Sequence, residues 1–352
     1  MTAFRDNMIR YTTGNLLEAE ADALVNTVNC VGVMGKGIAL QFKQAFPENY
    51  EKYRLACEHG EVKPGRMFVF GTGNLMGTKF IINFPTKQHW KGKSRIEDVN
   101  SGLDALVELI RANRIKSIAV PPLGCGNGGL DWGVVRKLIQ QKLGALENVE
   151  VLVYEPAGAP ANREMKIATK EPNMSRGRAA LLGIFGKYLI PGYELTMLEI
   201  QKLAYFLQEA GEPLKLNFVK EKYGPYAETL HHVLQRIEGH FIRGYGDRSR
   251  DASVEVNPAA IETALQMLAA EYPDTLERAD RVENLIEGFE TPFGLELLST
   301  VHWVMKETPE CRASLPKAVS EVHSWNNRKA EIFNAAQIEL AWTQLKAKGW
   351  AQ

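Results

Sequence analysis

Between Val25 and Ala39 the chain reads VNTVNCVGVMGKGIA, and this stretch limits the folds open to it more than any other. A buried strand (Ala23, Leu24, Val25) leads past Asn26 and Asn29 into a loop carrying Gly32, Gly35 and Gly37, after which Ile38 opens an amphipathic helix. Glycine lets backbone approach a ligand closely, and a helix N-terminus presents free N–H groups and the positive end of a dipole. Such a loop suits a phosphate. Its Gly-x-x-Gly-x-Gly spacing is neither the dinucleotide fingerprint nor the Walker loop, so taken alone it also fits an ordinary turn.

A second stretch of the same kind follows about ninety residues later. Ser117–Pro121 reads as a short buried strand, Pro122 to Leu130 (PLGCGNGGL) as a glycine loop, and Asp131 as the N-cap of a helix through Lys142. In an open α/β sheet both loops leave the carboxyl ends of strands, where ligands bind, and together they clamp a diphosphate from two sides.

With these residues in view, the two loops resemble the phosphate loops of macrodomains, which bind ADP-ribose. The run Phe80–Lys87 (FIINFPTK), followed by Gln88–Arg95 (QHWKGKSR), is more specific and resembles DarG-type antitoxins, which remove ADP-ribose placed on DNA by a DarT-type toxin. The resemblance covers about Met8 to Pro156. It implies an α/β macrodomain with a mixed sheet between helix layers, acting as a glycohydrolase without cofactor or metal. It also implies ADP-ribose contacts from Asn15, Thr86 and both loops. On the first loop these are Asn29, Val31, Gly32, Val33, Met34, Gly35, Gly37, Ile38 and Ala39. On the second they are Pro122, Leu123, Gly124, Cys125, Gly126, Asn127, Gly128, Gly129 and Leu130. Asn29 would bond the distal ribose, the alternative being a turn-forming role.

Lys87 is the expected catalytic residue. A bare lysine is usually a solvated surface charge, but this one follows an apolar strand (Phe80, Ile81, Ile82, Phe84) and Pro85-Thr86, at the strand's end. Cleaving a glycosidic bond passes through a positively charged, oxocarbenium-like state, which an ammonium ion opposes. A neutral amine instead attacks C1″ or its ring-opened aldehyde, which requires a pKa lowered by desolvation or by cations such as Lys91 and Lys93. The less committed version has Lys87 donating a proton to the leaving base or positioning the distal ribose.

His89, Trp90, Lys91, Lys93 and Arg95 place cations and an aromatic ring beside that lysine, a set that stacks a single-stranded base and holds phosphates. A basic turn ahead of a helix is the plainer reading. The chain departs from the resemblance at two points. Macrodomains usually carry an aspartate where this chain has Asn15, and related lysine-dependent hydrolases carry an aspartate where it has Gly128. These departures leave a non-catalytic ADP-ribose reader open, and two further alternatives stand beside it: a hydrolase acting on ADP-ribose linked to protein carboxylates, and a purely protein-binding antitoxin with a vestigial macrodomain.

At 352 residues the chain is long enough for two domains. Residues 1–160 hold 19 Lys and Arg against 16 Asp and Glu, and the remainder 23 against 26, so no whole-surface grip on nucleic acid is indicated. Cys30, Cys57, Cys125 and Cys311 are scattered without zinc-site spacing. No secretory signal and no run of about 20 apolar residues is present, so the expectation is a cytoplasmic protein without a membrane span. The alternation of elements gives residues 1–156 as the macrodomain, its first strand at Met8–Thr13, and 157–174, rich in proline, as a linker. Residues 175–352 read as mainly helical, with helices at Arg178–Tyr188, Thr196–Ala210, Ala227–Glu238, Pro258–Glu271, Thr275–Glu287, Pro292–Lys306 and Lys329–Lys346. A short extended piece and a Gly-Pro turn are expected within Glu212–Tyr226. The segment LEIQKLAYFLQEAGEPLKLNFVKEKYGPYAETL resembles the start of Panacea-type antitoxin domains, which implies that this half binds the cognate toxin.

Overall fold

A computed structural model of the protein describes residues 9–74, 76–156, 166–190, 192–246 and 252–351. The chain divides into two compact units, Met1–Lys170 and Glu171–Gln352. The expected linker lies outside the described residues at 157–165, as does Met8, and the Ala168 N–H donates to the Gln44 carbonyl (2.9 Å).

In the first unit the elements run β1 (Ile9–Thr12), β2 (Ala23–Val28), α1 (Gly37–Ala45), α2 (Pro47–Glu58), β3 (Phe68–Gly71), β4 (Phe80–Pro85), α3 (Ile96–Ala112), β5 (Ser117–Val120), α4 (Trp132–Leu143) and β6 (Glu150–Tyr154). The strands form a six-stranded sheet in the order β1-β6-β5-β2-β4-β3, parallel except for β3. Successive strand residues face opposite layers, and the sequence supplies apolar side chains to both. Val25, Ile82 and Phe84 pack with Leu103 and Leu106 of α3 and Val135 and Ile139 of α4. Leu24, Ile81 and Ala119 turn the other way, onto Phe42 and Ala45 of α1. This is the expected mixed sheet between helix layers.

Close approach of α3 depends on Gly102, where an added Cβ would stand 2.3 Å from the Phe84 ring. Gly102→Ala gains about 1 kcal/mol of helix propensity but overpacks a rigid ring, so a net loss of about 2 kcal/mol is expected. Chemical denaturation followed through the first unit's transition measures it, and a neutral or stabilising result would refute the close contact.

The second unit contains α5 (Arg176–Tyr188), β7 (Leu195–Thr196), α6 (Met197–Glu209), β8 (Val219–Glu221), β9 (Gly224–Tyr226), α7 (Leu230–Ile237), β10 (Ile242–Arg243) and β11 (Ser253–Val256). It continues with α8 (Pro258–Glu271), α9 (Pro273–Ile286), α10 (Pro292–Glu307), α11 (Glu310–Ala313), α12 (Leu315–His323), α13 (Asn327–Ile332) and α14 (Ala335–Ala347). It is mostly helical, as expected, with three corrections. The helix expected over Lys329–Lys346 is two helices. Phe333, fully buried, ends the first, and Asn334 with Gln337 forms a capping box that starts the second. The expected Gly-Pro turn is a strand: Gly224 and Pro225 lie in β9, paired with β8, and the turn is at Lys222–Tyr223. Helices α11 and α12 and the small sheet β10-β11-β7 were not anticipated. Among the described residues no helix is long and apolar enough to cross a membrane.

Candidate active site

Strands β5, β2 and β4 are neighbours and parallel, so the segments that follow them emerge side by side. These are the second glycine loop, the first glycine loop and the run beginning Thr86-Lys87. Backbone bonds tie them: Thr86 N–H to the Val28 carbonyl (3.0 Å), Cys30 N–H to the Gln88 carbonyl (3.0 Å) and Ser94 N–H to the Gly128 carbonyl (3.0 Å).

Lys87, half-buried, reaches across this junction and its Nζ donates to the Asn127 carbonyl (3.2 Å). Burial lowers its pKa below the ordinary lysine value of 10.5. Of the causes considered from the sequence, desolvation acts here. A lysine so placed keeps one N–H on a fixed acceptor and, when neutral, turns its lone pair elsewhere.

The first loop is organised from below. Asn29 Oδ1 accepts from the N–H of Val31 (2.9 Å) and Val33 (3.4 Å), and its Nδ2 donates to the Val33 carbonyl. The Tyr53 hydroxyl, buried on α2, donates to the Asn29 carbonyl (2.7 Å). Asn29 thus fills the turn-forming role, with one amide hydrogen already engaged. Met34 is buried with Val28, Tyr53, Ala56 and Val62, which anchors the loop while leaving Val31 and Val33 outside. Gly32 (φ +76°) and Gly37 (φ +55°) take left-handed backbone, and a Cβ on Gly37 would lie 3.2 Å from Asn127 Nδ2, so the two loops approach closely at that point. Beneath them Asn26, Asn49 and Asn83, fully buried, bond to one another across β2, α2 and β4.

The second loop turns at Gly124 (φ +71°) and Gly129 (φ +77°) and is closed by Leu130 N–H on the Gly124 carbonyl (3.0 Å). Asp131 caps α4, accepting from Val134 N–H (3.0 Å), as the sequence indicates. Gly128 is buried, and a Cβ there would lie 2.2 Å from Ser94 Oγ, so no side chain fits where related hydrolases carry an acid. The thiols of Cys30 and Cys125 are pushed up to about 11, first by burial, which keeps both protonated near neutrality.

Asn15 follows β1. Its Oδ1 accepts from Leu17 N–H (3.1 Å) and its Nδ2 donates to Glu18 (3.0 Å), so the side chain caps a short turn. His89 and Trp90 stack at 5.5 Å between ring centres, Lys91 Nζ stands 5.1 Å over the Trp90 ring, and Trp90 is 49% exposed. Lys91, Lys93 and Arg95 are exposed, Arg95 pairing with Glu97 at 3.5 Å. Tyr53, Asn49, Asn83 and Ser94 were not singled out from sequence. The signal available was a lone asparagine inside each apolar strand, at Asn26 and Asn83.

Residues 25–139 match the Macro domain family model. A Thermus aquaticus protein named DNA ADP-ribosyl glycohydrolase is 51% identical over 343 residues, which span 97% of this chain and 94% of that one. A Thermosipho africanus protein named as a fusion of a DNA ADP-ribosyl transferase and a DNA ADP-ribosyl glycohydrolase is 36% identical over 158 residues, 41% of this chain and 40% of that one. Among solved structures, the macrodomain of Mycobacterium tuberculosis DarG aligns at 53% identity and a TM-score of 0.43, covering 43% of this chain and 100% of that one.

Proposed function

Because this chain belongs to the DNA ADP-ribosyl glycohydrolase family, we propose that it hydrolyses ADP-ribose from thymidine bases of single-stranded DNA. The observation that carries this reading is Lys87, partly desolvated and held on the Asn127 carbonyl where both glycine loops meet. The loops hold the diphosphate, and Asn29 offers its second amide hydrogen to the distal ribose. Asn15, whose oxygen keeps a further lone pair, accepts from adenine without the help of a charge. The neutral amine of Lys87 attacks C1″ as the bond to the base nitrogen breaks, the new ammonium passes a proton to the departing base, and water then adds at C1″ to release ADP-ribose and return the free lysine. Among the described residues the absence of a side chain at Gly128 favours this single-lysine route over a lysine–acid pair.

His89, Trp90, Lys91, Lys93 and Arg95 hold the DNA strand, with the exposed Trp90 ring as a stacking platform. The helical part of the second unit, residues 175–352, binds and blocks a cognate DarT-like toxin. The joining of transferase and glycohydrolase in the Thermosipho relative's name supports a functional pairing of the two activities.

The test is release of free ADP-ribose from a thymidine-ADP-ribosylated oligonucleotide. Trp90→Ala is expected to lower kcat/KM on the oligonucleotide about 10-fold, the worth of one stacked base. On a single ADP-ribosylated nucleoside, too short to reach the platform, the variant should match the wild type. Equal losses on both substrates would remove the DNA platform from the account, and turnover of protein-linked ADP-ribose alone would replace the substrate.

A further inference from the structure

Between α2 and β3 the chain makes a tight turn, Lys63-Pro64-Gly65-Arg66, closed by the Arg66 N–H on the Lys63 carbonyl (3.1 Å). Proline in its second place and Gly65 in left-handed backbone (φ +77°) in its third make it a type II turn, which brings its two ends within about 7 Å. Those ends are a lysine and an arginine, both exposed. Among the described residues neither side chain enters an ion pair, a hydrogen bond or a ring contact. The carboxylates of Glu51 and Glu58 are taken by Arg54, and that of Glu97 by Arg95. Two like charges fixed this close repel, and an anion seated between them removes that cost.

The fold sets this pair beside the candidate site. Strand β3 runs antiparallel to β4 with Phe68 opposite Asn83, so the residues before β3 lie level with the Pro85–Lys87 end of β4, one strand spacing of about 5 Å away. The turn is pinned on both flanks. Val62, buried, packs in the cluster of Val28, Met34 and Tyr53 that anchors the first loop, and Met67 packs in the layer of α3. Gly65 rests on α3, a Cβ there standing 3.2 Å from Ser101 Oγ, and Lys91, Lys93 and Arg95 lead into that same helix. Along the ligand end of the sheet the order is therefore second loop, first loop, Lys87 segment and Lys63–Arg66 turn.

We infer that Lys63 and Arg66 form a phosphate clamp for single-stranded nucleic acid, holding a backbone phosphate of the strand that flanks the modified nucleotide. The clamp lies on the side of Lys87 away from the glycine loops. It rests on the reading of the substrate as ADP-ribosylated DNA and on no contact to ADP-ribose itself. The lysine supplies a point charge, and the arginine a planar fork that grips two oxygens. Neither reads a base edge, so the clamp orients the strand without selecting its sequence. It adds a second hold on the strand to that of the Trp90 platform.

The experiment compares Lys63→Gln/Arg66→Gln with the wild type, each as the full chain, on two substrates at about 50 and about 200 mM salt. One is a thymidine-ADP-ribosylated oligonucleotide of about 15 residues, long enough to cover a single-strand site. The other is the ADP-ribosylated nucleoside, which has no flanking phosphate. On the oligonucleotide kcat/KM should fall about 10-fold at the lower salt, and its log–log dependence on salt should flatten by about 1. On the nucleoside the variant should match the wild type, and it should melt at the same temperature. Arg111→Gln/Arg114→Gln removes the same charge at the other end of α3, about 25 Å along the helix axis, and should cost less than about 2-fold. Equal losses in the two double variants would mean a general attraction by positive charge and would overturn the clamp. So would a loss shared by the nucleoside, whether through folding or through the ADP-ribose seat. If Trp90→Ala loses activity on the oligonucleotide and Lys63→Gln/Arg66→Gln does not, the clamp alone falls. If the wild type treats both substrates alike at both salt concentrations, the reading of a DNA strand falls and the clamp with it.

Discussion

Lys87→Ala is expected to abolish release of ADP-ribose from the modified oligonucleotide, by at least about 1,000-fold in kcat, while ADP-ribose affinity changes less than about 5-fold. The split follows from geometry. The loops are organised by Tyr53, Asn29, Gly37 and Gly124, none of which depends on the Lys87 side chain, so the seat survives its loss. What disappears is the group at the junction. A reader module would show intact binding in both proteins and turnover in neither, and comparable loss of binding and turnover would make Lys87 an anchor rather than a reacting group.

The same lysine fixes the sign of the pH dependence. Burial lowers its pKa from 10.5, so the reactive free amine becomes populated at lower pH than in an ordinary lysine. If the amine attacks C1″, kcat rises with pH along a single limb with its midpoint below 10.5. If Lys87 instead donates a proton to the leaving base, the limb falls with pH. With both loop thiols at about 11, neither Cys30 nor Cys125 adds a limb near neutrality. Lys87→Arg, which neither frees a lone pair nor gives up its proton, is expected to be inactive under both mechanisms and to keep activity only if Lys87 does no more than position the distal ribose.

What the sequence made legible was whatever short-range chemistry writes. The glycine spacings, the apolar strands before them and the cap at Asp131 are local, and β5-β2-β4 adjacency then brings both loops to Lys87. Long-range polar pairings left little trace. Tyr53 reads as one aromatic on an amphipathic helix, yet its hydroxyl sets the first loop. Ser94 reads only as one residue of the basic turn ahead of α3. In the second unit, helical periodicity continues smoothly through Phe333, so the break had to come from a capping box that only tertiary burial of that phenylalanine makes worthwhile. Lys202 and Lys329 left no signal of their burial either, because lysines in helical patterns are ordinarily found in water.

Those two lysines are fully sequestered, 2% and 0% exposed, and with Arg328 they surround one buried carboxylate, Glu296. Lys329 Nζ donates to Glu296 (2.6 Å) and Thr300 (2.9 Å), Lys202 Nζ donates to the Pro225 carbonyl (2.6 Å), and the cluster thereby fixes the β8-β9 hairpin. Glu296→Gln keeps the shape and removes the only counterion named in these contacts, so a loss of about 3–5 kcal/mol in the second unit's stability is expected near neutral pH. Burial, and for Lys202 then the charge of Lys329, lowers Lys202 to about 7, and burial lowers Lys329 to about 8, against 10.5 for each in an unfolded chain. Between those values the unfolded chain binds more protons, so stability of the wild-type unit climbs from pH 7 to 9.5, by on the order of 3 kcal/mol. Above about pH 10 the rise slackens, because Tyr193, pushed up to about 12 first by burial and then by Glu199, ionises only after unfolding. Denaturant titrations of the second unit at several pH values decide the matter. A flat or falling profile over this range in the wild type would mean the lysines stay charged in the fold. In Glu296→Gln the deficit should shrink as pH rises, since lysines that lose their protons no longer need the carboxylate.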